Sequence, residues 1–342
     1  MSNKWYEKSG TDGDVVISSR IRLARNLKSY PFPHLLNSEQ KNQVANKIKE
    51  ALDNSHSYIA QHFNFINMAQ LSQQEATSMA EKHIISPGFT QNRAGKYLLL
   101  SDDESISIMI NEEDHLRIQV LSEGLSLKTA YETAEKIDTL LDNSLGFAFH
   151  EKLGYLTQCP TNLGTGLRAS VMLHLPALQS GNVIGRLEDN LSKIGLTLRG
   201  TFGEGSNAQV GIYQLSNQVT LGLSEETAIE NLSNVTKQLV SNEKDVRGQL
   251  CSRIETMDYI MRSLATLKYA LLISSKESME LLSAVRMGIS EKIINNISLD
   301  TINSLISTIQ PATICMVSQQ NKELTNQQRD KLRAEIIKKK LA

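Results

Sequence analysis

Residues 155–178 read YLTQCPTNLGTGLRASVMLHLPAL. Cys159 precedes Pro160, Thr161-Asn162 marks a turn, Gly164 and Gly166 flank Thr165, and Arg168 opens an apolar, helix-like run. Glycines at this density imply a tight turn and close approach of the backbone to a ligand. A guanidinium at the start of the next segment is placed to meet an anion. By itself the stretch reads as an anion-binding turn before a helix.

Composition narrows what such a turn could serve. The chain has 342 residues, a length that suits two domains, and 36 Lys and Arg against 37 Asp and Glu give a net charge of -1. That balance offers no general argument for nucleic acid or membrane. Cys159, Cys251 and Cys315 are widely spaced and odd in number, without CxxC or HExxH, so neither a disulfide framework nor a protein-ligated metal is expected. The start, MSNKWYEKSGTDGD, lacks an apolar signal core, and no apolar run approaches the roughly 20 residues of a membrane span. The expectation is a soluble, cytoplasmic protein with no direct hold on nucleic acid or membrane.

Outward from the central stretch, alternation and spacing predict the elements. Val15–Arg25 (VVISSRIRLAR) is extended, with Arg20 and Arg22 on one face and Ile21 on the other. The arginines are either a solvated strand edge or a multidentate oxyanion site; three arginines without a lysine speak for the second, but the run alone does not choose between them. Helices are predicted from Ser38 to about Leu52, from Glu75 to His83, from Lys128 to Leu141 and around Gly185–Ile194. Strands are predicted at Tyr97–Leu100, Ser105–Asn111, Leu116–Leu121 and Leu196–Thr201, then a hairpin of Val210–Leu215 and Gln218–Leu223 across Ser216-Asn217. NEEDH, Asn111–His115, closes the hairpin between two strands; it reads as a solvated turn, or as acids sharing a cleft with Arg117, four residues after Glu113. The Gly-rich GTFGEG, Gly200–Gly205, fits neither a Walker A loop nor GxGxxG, and presents Glu204.

Near Gly222 the composition changes. Seventeen of the nineteen glycines and all seven histidines lie at or before it, and the remaining residues have helical periodicity with one proline, Pro311. The expected division is a mixed domain over 1–223 and an all-helical domain over 224–342. Arg329 and Arg333, at i and i+4 in RDKLRA, share a helix face that on spacing alone is an ordinary charged surface. The first domain thus offers Arg20, Arg22, Arg117, Arg168 and Arg199 with Glu113 and Glu204. That set suits a polyphosphate held by guanidinium groups, with carboxylates addressing a cationic acceptor. Phosphoryl transfer asks mainly for positioning and charge neutralisation.

VISSRIRLAR, NEEDHLR, CPTNLGTGLRASV and RGTFGEG, in this order, closely resemble the phosphagen kinase (ATP:guanidino phosphotransferase) superfamily, CPTNxGT being its most specific block. Two departures choose a branch. The SSR block begins at Ser18, without the specificity domain that precedes it in kinases of free creatine or arginine. A long helical segment succeeds the catalytic part and ends in RDKLRA. Both features are similar to the bacterial protein-arginine kinases, whose RDxxRA motif binds phosphoarginine.

The resemblance implies an α+β fold, an antiparallel sheet flanked by helices, followed by the helical domain. It implies ATP binding by Ser18, Ser19, Arg20, Ile21, Arg22, His83, Arg117, Arg168, Ala169, Ser170, Val171, Met172, Arg199, Gly200, Thr201, Phe202, Gly203 and Glu204, with Mg²⁺ bridging the phosphates. Glu113 and Glu204 would engage the acceptor guanidinium, Glu113 as the base, and Cys159 would tune or orient it. Arg329, Asp330 and Arg333 would receive phosphoarginine. Implied partners are the activating adaptor McsA, the heat-shock repressor CtsR, the Clp unfoldase–protease in stress-response quality control, and a second copy in a homodimer. A kinase of free arginine or another small guanidino compound, and a non-catalytic phosphoarginine reader, are the alternatives. The absent specificity domain argues against the first, and the intact carboxylates and arginines against the second.

Overall fold

Alternation of side-chain direction organises the sheet. The computed structural model describes residues 4–55, 57, 62–201, 210–318 and 324–342. Its first half runs β1 (Val16–Arg25), α1 (Ser38–Asp53), β2 (Phe63–Asn67), α2 (Gln73–Glu81), β3 (Tyr97–Ser101), β4 (Ile106–Ile110), β5 (Leu116–Glu123) and α3 (Leu127–Leu145). Next come β6 (Phe149–His150), β7 (Gly154–Tyr155), β8 (Leu167–His174), α4 (Pro176–Ser180), α5 (Ile184–Lys193), β9 (Leu196–Gly200) and β10 (Ile212–Asn217). The remainder is α6 (Glu225–Cys251), α7 (Ile254–Tyr269), α8 (Ser275–Ser290), α9 (Leu299–Thr308), α10 (Pro311–Val317) and α11 (Asn326–Leu341).

Eight strands form one antiparallel sheet in the order β2-β3-β4-β5-β1-β8-β10-β9. Directly paired residues share a face. Ile21 and Leu23 of β1, Ile118 and Val120 of β5, and Ala169, Val171 and Leu173 of β8 therefore turn together to one side and are buried. Covering that side are Ala130, Ala134, Ile137 and Leu141 of α3, Val44, Ile48 and Leu52 of α1, and Leu232 and Leu239 of α6. Capping boxes fix the starts of α1 at Asn37 and of α2 at Ser72. The expected sheet flanked by helices, with further helices after it, is the fold that the chain adopts.

Two local expectations are corrected. Residues 167–174 are the strand β8 and not the start of a helix: Leu167, Ala169, Val171 and Leu173 alternate with Arg168, Ser170 and Met172, and two-sided strand pairing claims the alternation. The hairpin over Val210–Leu223 does not form either. β10 pairs with β8 and β9, and Gln218–Leu223 carries no strand. Asn217 ends β10 with its side chain, donating to Leu167 O and Val219 O at 3.1 Å each and accepting from Ala169 N at 2.8 Å.

From Glu225 on, the described residues are helical or connecting, yet the packing does not part at residue 223. α6 lays its apolar residues on the sheet core, while a second cluster unites α7, α8, α9 and α11 with Val210 and Ile212. Between them lies a buried polar junction. Arg286 is fully buried and donates to Gly13 O (2.6 Å), Asp14 O (2.9 Å) and His174 Nδ1 (3.1 Å). Because guanidinium can only donate, His174 carries its proton on Nε2 and gives it to Ser283 Oγ (2.8 Å), which in turn donates to Val210 O (2.8 Å). Burial first, then Arg286 and Arg247, pushes His174 well below the usual imidazole range, so it stays neutral. Arg247, also buried, pairs with Glu243 at 3.2 Å, and Glu243 accepts from the amides of Ala177 and Leu178 at the start of α4.

The second cluster is tightly closed where α8 crosses α7. A Cβ at Gly288 would stand 2.4 Å from Ile260 Cγ2. Gly288→Val should cost about 1–3 kcal/mol through overpacking, read as a lowered urea midpoint; an unchanged midpoint would mean that the two helices can separate without penalty.

Candidate active site

The same alternation that buries Ile21 and Val171 brings the cations to the other face. Arg22 stands opposite Arg168 across the β1–β8 ladder, Arg20 opposite Ser170, and Ala24 opposite Arg117 on β5. Gln214 of β10 faces Met172 on one side and Arg199 of β9 on the other. Arg20 is held by Ser170 Oγ (3.2 Å) and Gln214 Oε1 (2.6 Å). Arg22 Nε and Arg168 Nε are buried with no hydrogen-bond partner.

Guanidinium groups in this proximity perturb one another. Burial, then Arg168 and Arg117, pushes Arg20 down to about 10. Arg22 is driven well below its ordinary value by burial and then by Arg20, Arg117 and Arg168; Arg168 is lowered by burial and then by Arg199 and Arg117. An anion with several oxygens would relieve that repulsion and satisfy the idle N–H groups together.

The acids sit at one end of this face. Arg117 pairs with Glu112 (2.6 Å) and Glu113 (3.2 Å). Glu112 is 12% exposed and also accepts from the Ser86 hydroxyl, whereas Glu113 is 37% exposed. Glu112 is thus committed to structure and Glu113 is available. A cleft of about 140 Å³ is lined by Arg22, Glu113, Arg117, Cys159, Thr161, Asn162 and Arg168. In it the Cys159 thiol lies 3.0 Å from Thr161 Oγ1.

Buried side chains hold the two loops of the cleft together. Asn26, just beyond β1, donates to Asp114 Oδ1 (2.6 Å) and Leu156 O (3.0 Å) and accepts from His115 N (2.9 Å). Asp114 Oδ1 also accepts from Gln158 N at 2.8 Å, next to Cys159. The turn carrying Glu113 and the loop carrying Cys159 are therefore pinned to one asparagine. Burial raises the Asp114 carboxyl above its usual range, so the site keeps this acid as an acceptor only at some electrostatic expense. Arg25 organises the glycine turn: it pairs with Asp138 at 2.9 Å, lies 3.4 Å over the Tyr155 ring, and donates to Thr165 O at 2.9 Å. A Cβ at Gly166, whose φ is +63°, would fall 2.6 Å from Arg25 Nη1.

Further along the cationic face, Ser18, Arg20, His83, Ser170, Met172 and Gln214 line a small recess. Burial and then Arg20 push His83 down to about 4, leaving a neutral imidazole at pH 7. Since its ordinary value is 6.5, His83 binds fewer protons folded than unfolded, and its contribution to stability falls as pH drops from there towards 4.

The sequence-based set is therefore split. Arg22, Glu113, Arg117, Cys159 and Arg168 converge on one cleft, with Ser18, Arg20, His83, Ser170 and Met172 beside it. Ser19, Ile21, Ala169 and Val171 project to the opposite, core side; Ser19 Oγ there donates to Gly124 O and accepts from Ser126 N. Their side chains cannot touch a ligand on the arginine face. Arg199 is exposed on the edge strand, Gly200 ends that strand, and the Thr201 hydroxyl donates to Ile212 O. Phe202, Gly203 and Glu204 lie outside the described residues. Arg329, Asp330 and Arg333 sit on α11, which packs against α7, α9 and α10. Arg333 is buried, donating to Ile309 O (3.1 Å), Ile273 O (2.9 Å) and Asp330 (2.6 Å), while Arg329 is partly exposed. No local sequence signal marks Asn26 or Gln214, and NEEDH does not tell Glu112 from Glu113; only the sheet register and the turn geometry give them meaning.

Among the described residues no group of three or more His, Cys, Asp or Glu is arranged to hold a metal ion. Nor is any described helix long and apolar enough to cross a membrane.

Residues 43–246 match the model of the ATP:guanido phosphotransferase C-terminal catalytic domain, and residues 253–342 that of the protein-arginine kinase McsB C-terminal domain. A protein-arginine kinase of Halothermothrix orenii is 45% identical over 98% of this chain and 96% of its own length. That of Brevibacillus brevis is 44% identical over 99% and 95%. Among solved structures, a duplicated taurocyamine kinase from Schistosoma mansoni with bound transition-state-analogue components superposes with a TM-score of 0.62 at 28% identity, over 75% of this chain and 37% of its own. Lombricine kinase, at 24% identity and a TM-score of 0.60 over 71% and 68%, shares the fold.

Asn26 gives a direct test of how the cleft is built. Asn26→Ala leaves Asp114 and two backbone groups short of partners and should cost about 1–3 kcal/mol, with faster alkylation of Cys159 by a maleimide in the native state. An alkylation rate equal to wild type would mean that the Cys159 loop is held from elsewhere.

Proposed function

The chain belongs to the ATP:guanido phosphotransferase family, within its protein-arginine kinases, and on that premise we propose how its residues carry out the transfer. The γ-phosphoryl group of ATP passes to an arginine side chain of a protein, giving phosphoarginine and ADP. The observation that supports this most is the convergence of Arg22, Arg117 and Arg168 with Glu113 and Cys159 on one cleft. Guanidinium groups short of partners take the phosphate oxygens in place of mutual repulsion. Glu113 takes the proton that leaves the attacking nitrogen as the N–P bond forms and the bond to the ADP oxygen breaks. A guanidinium is a weak nucleophile until it loses that proton, its pKa being above ~12. Cys159, partly buried beside Arg168, orients the acceptor. Glu204 is proposed as the second carboxylate on the acceptor, and Mg²⁺ travels with ATP.

A cleft of about 140 Å³ with Glu113 partly exposed at its edge suits a side chain presented by a protein surface. We place the enzyme in the cytoplasm, acting with McsA on targets that include CtsR and supplying marked proteins to the Clp unfoldase–protease under stress. The helical segment would pair two copies and, through Arg329 with Asp330 and Arg333, receive phosphoarginine as a regulatory signal. Arg333 is already engaged by two carbonyls and Asp330, so Arg329 is the member placed to reach outward.

Glu113→Gln should lower the rate of acid-labile labelling of an arginine-rich protein by about 10²–10⁴-fold with ATP affinity retained. Unchanged labelling would remove Glu113 as the base, and rapid turnover of free arginine by the wild type would favour a small-molecule kinase. For the second motif, Arg329→Ala should weaken binding of phosphoarginine by about tenfold or more without altering ATP binding; an isotherm matching wild type would remove Arg329 from that role.

A further inference from the structure

The C-terminal helices reach the cationic face through one carboxylate. Glu81, the last residue of α2, accepts from Ala312 N at 2.8 and 3.1 Å, from Thr313 N at 2.8 Å and from Thr313 Oγ1 at 2.8 Å. One turn earlier Ser78 Oγ lies 3.0 Å from the same Thr313 hydroxyl. Pro311 opens α10 and has no N–H, so the amides of Ala312 and Thr313 are the first donors of that helix without an internal partner. Glu81 completes the start of α10, and α10 in return fixes the end of α2.

Two residues beyond Glu81 the chain takes a constrained turn. His83 has a φ of 60°, a left-handed conformation that a residue with a Cβ holds only when its surroundings impose it. Its N–H is taken by Ala80 O (3.0 Å) and its carbonyl by Gln119 Nε2 (3.0 Å). Its imidazole lines the recess with Ser18, Arg20, Ser170 and Met172 and also a neighbouring cavity reached by Trp5, Asn303, Ile306 and Ser307. On the far side of α10, the carbonyl of Ile309, which caps α9, accepts from Arg333. A continuous run of bonded groups thus leads from α11 through the α9–α10 corner and Glu81 to His83.

We propose that Glu81 is a positioning residue for nucleotide binding: held by α10, it sets the backbone of His83 and thereby the shape of the nucleotide side of the site. This rests on the reading that the Arg20–His83 face receives the nucleotide. Releasing Glu81 lets His83 relax out of its left-handed conformation, so the imidazole leaves the recess while the cleft of Glu113 and Cys159 stays as it was. The effect belongs on nucleotide affinity and not on the chemical step.

Trp5 makes the test possible in the intact chain. It is the single tryptophan, 6% exposed, and lines the cavity next to His83. ATP titrations of the full-length protein, followed by Trp5 emission and repeated by equilibrium dialysis, give Kd; initial rates with a protein substrate give KM and kcat. Glu81→Ala should raise Kd and KM for ATP about tenfold while kcat changes less than about twofold, and Thr313→Val should move Kd in the same direction by a smaller factor. Glu81→Gln, which keeps one acceptor, should restore part of the affinity. His83→Ala separates the two readings. If it weakens ATP binding and neither Glu81→Ala nor Thr313→Val does, the positioning role is overturned although the nucleotide face stands. If His83→Ala itself leaves Kd unchanged, the nucleotide does not meet His83 and the proposal falls with that reading. A loss of thermal stability in Glu81→Ala or Thr313→Val at unaltered Kd would likewise overturn it, and Thr313→Val decides the matter should Glu81→Ala fail to fold.

Discussion

Like charges set side by side on the central strands are the constraint to which the rest of this molecule answers. Arg22 and Arg168 face each other across β1 and β8, an arrangement that costs stability in any sheet. On that face Glu112, Glu113, Ser170 and Gln214 offset it, and further support lies elsewhere. The opposite face of the same strands is largely apolar and closed by three helices. Arg25, the one arginine of the VISSRIRLAR run that turns inward, is neutralised by Asp138 and covered by Tyr155. Strain of this kind at a binding surface is tolerated because a ligand of opposite charge removes it.

Much of this is legible in the residues. Two-residue alternation in β1, β4 and β5 gives the strands, and the same alternation correctly puts Arg20 and Arg22 on the face opposite Ile21. It fails at Leu167–His174, where apolar content suggests a helix although Leu167, Ala169, Val171 and Leu173 are the core-facing positions of a strand. It fails again after Val210, because β10 has two long-range partners and local turn chemistry at Ser216-Asn217 says nothing of them. Motif blocks carried over whole also blur a distinction that strands make sharply: in SSRIR and RASVM only every second side chain can meet a ligand.

The supporting residues are invisible for a different reason. Asn26 matters because a turn near residue 114 and a loop near residue 158 both reach it, and neither separation is written in local sequence. Glu112 and Glu113 are chemically equivalent as letters. Only the Ser86 hydroxyl and the difference in exposure tell them apart. The junction of Glu243, Arg247, Arg286 and His174 leaves no trace beyond ordinary charges on predicted helices.

That junction bears on the order in which the chain can be completed. The bond from Arg286 to the carbonyl of Gly13 joins residues 273 positions apart, and Ser283 fastens Val210 from a helix made long after the sheet. Contacts of such separation form late, since the ordering entropy of the intervening chain must be met first. During synthesis the strands bearing the arginines emerge well before the helices that lock their ends. A nascent chain would therefore carry an unfinished phosphate-grasping face until its final third leaves the ribosome, which delays the appearance of a competent enzyme to the end of translation.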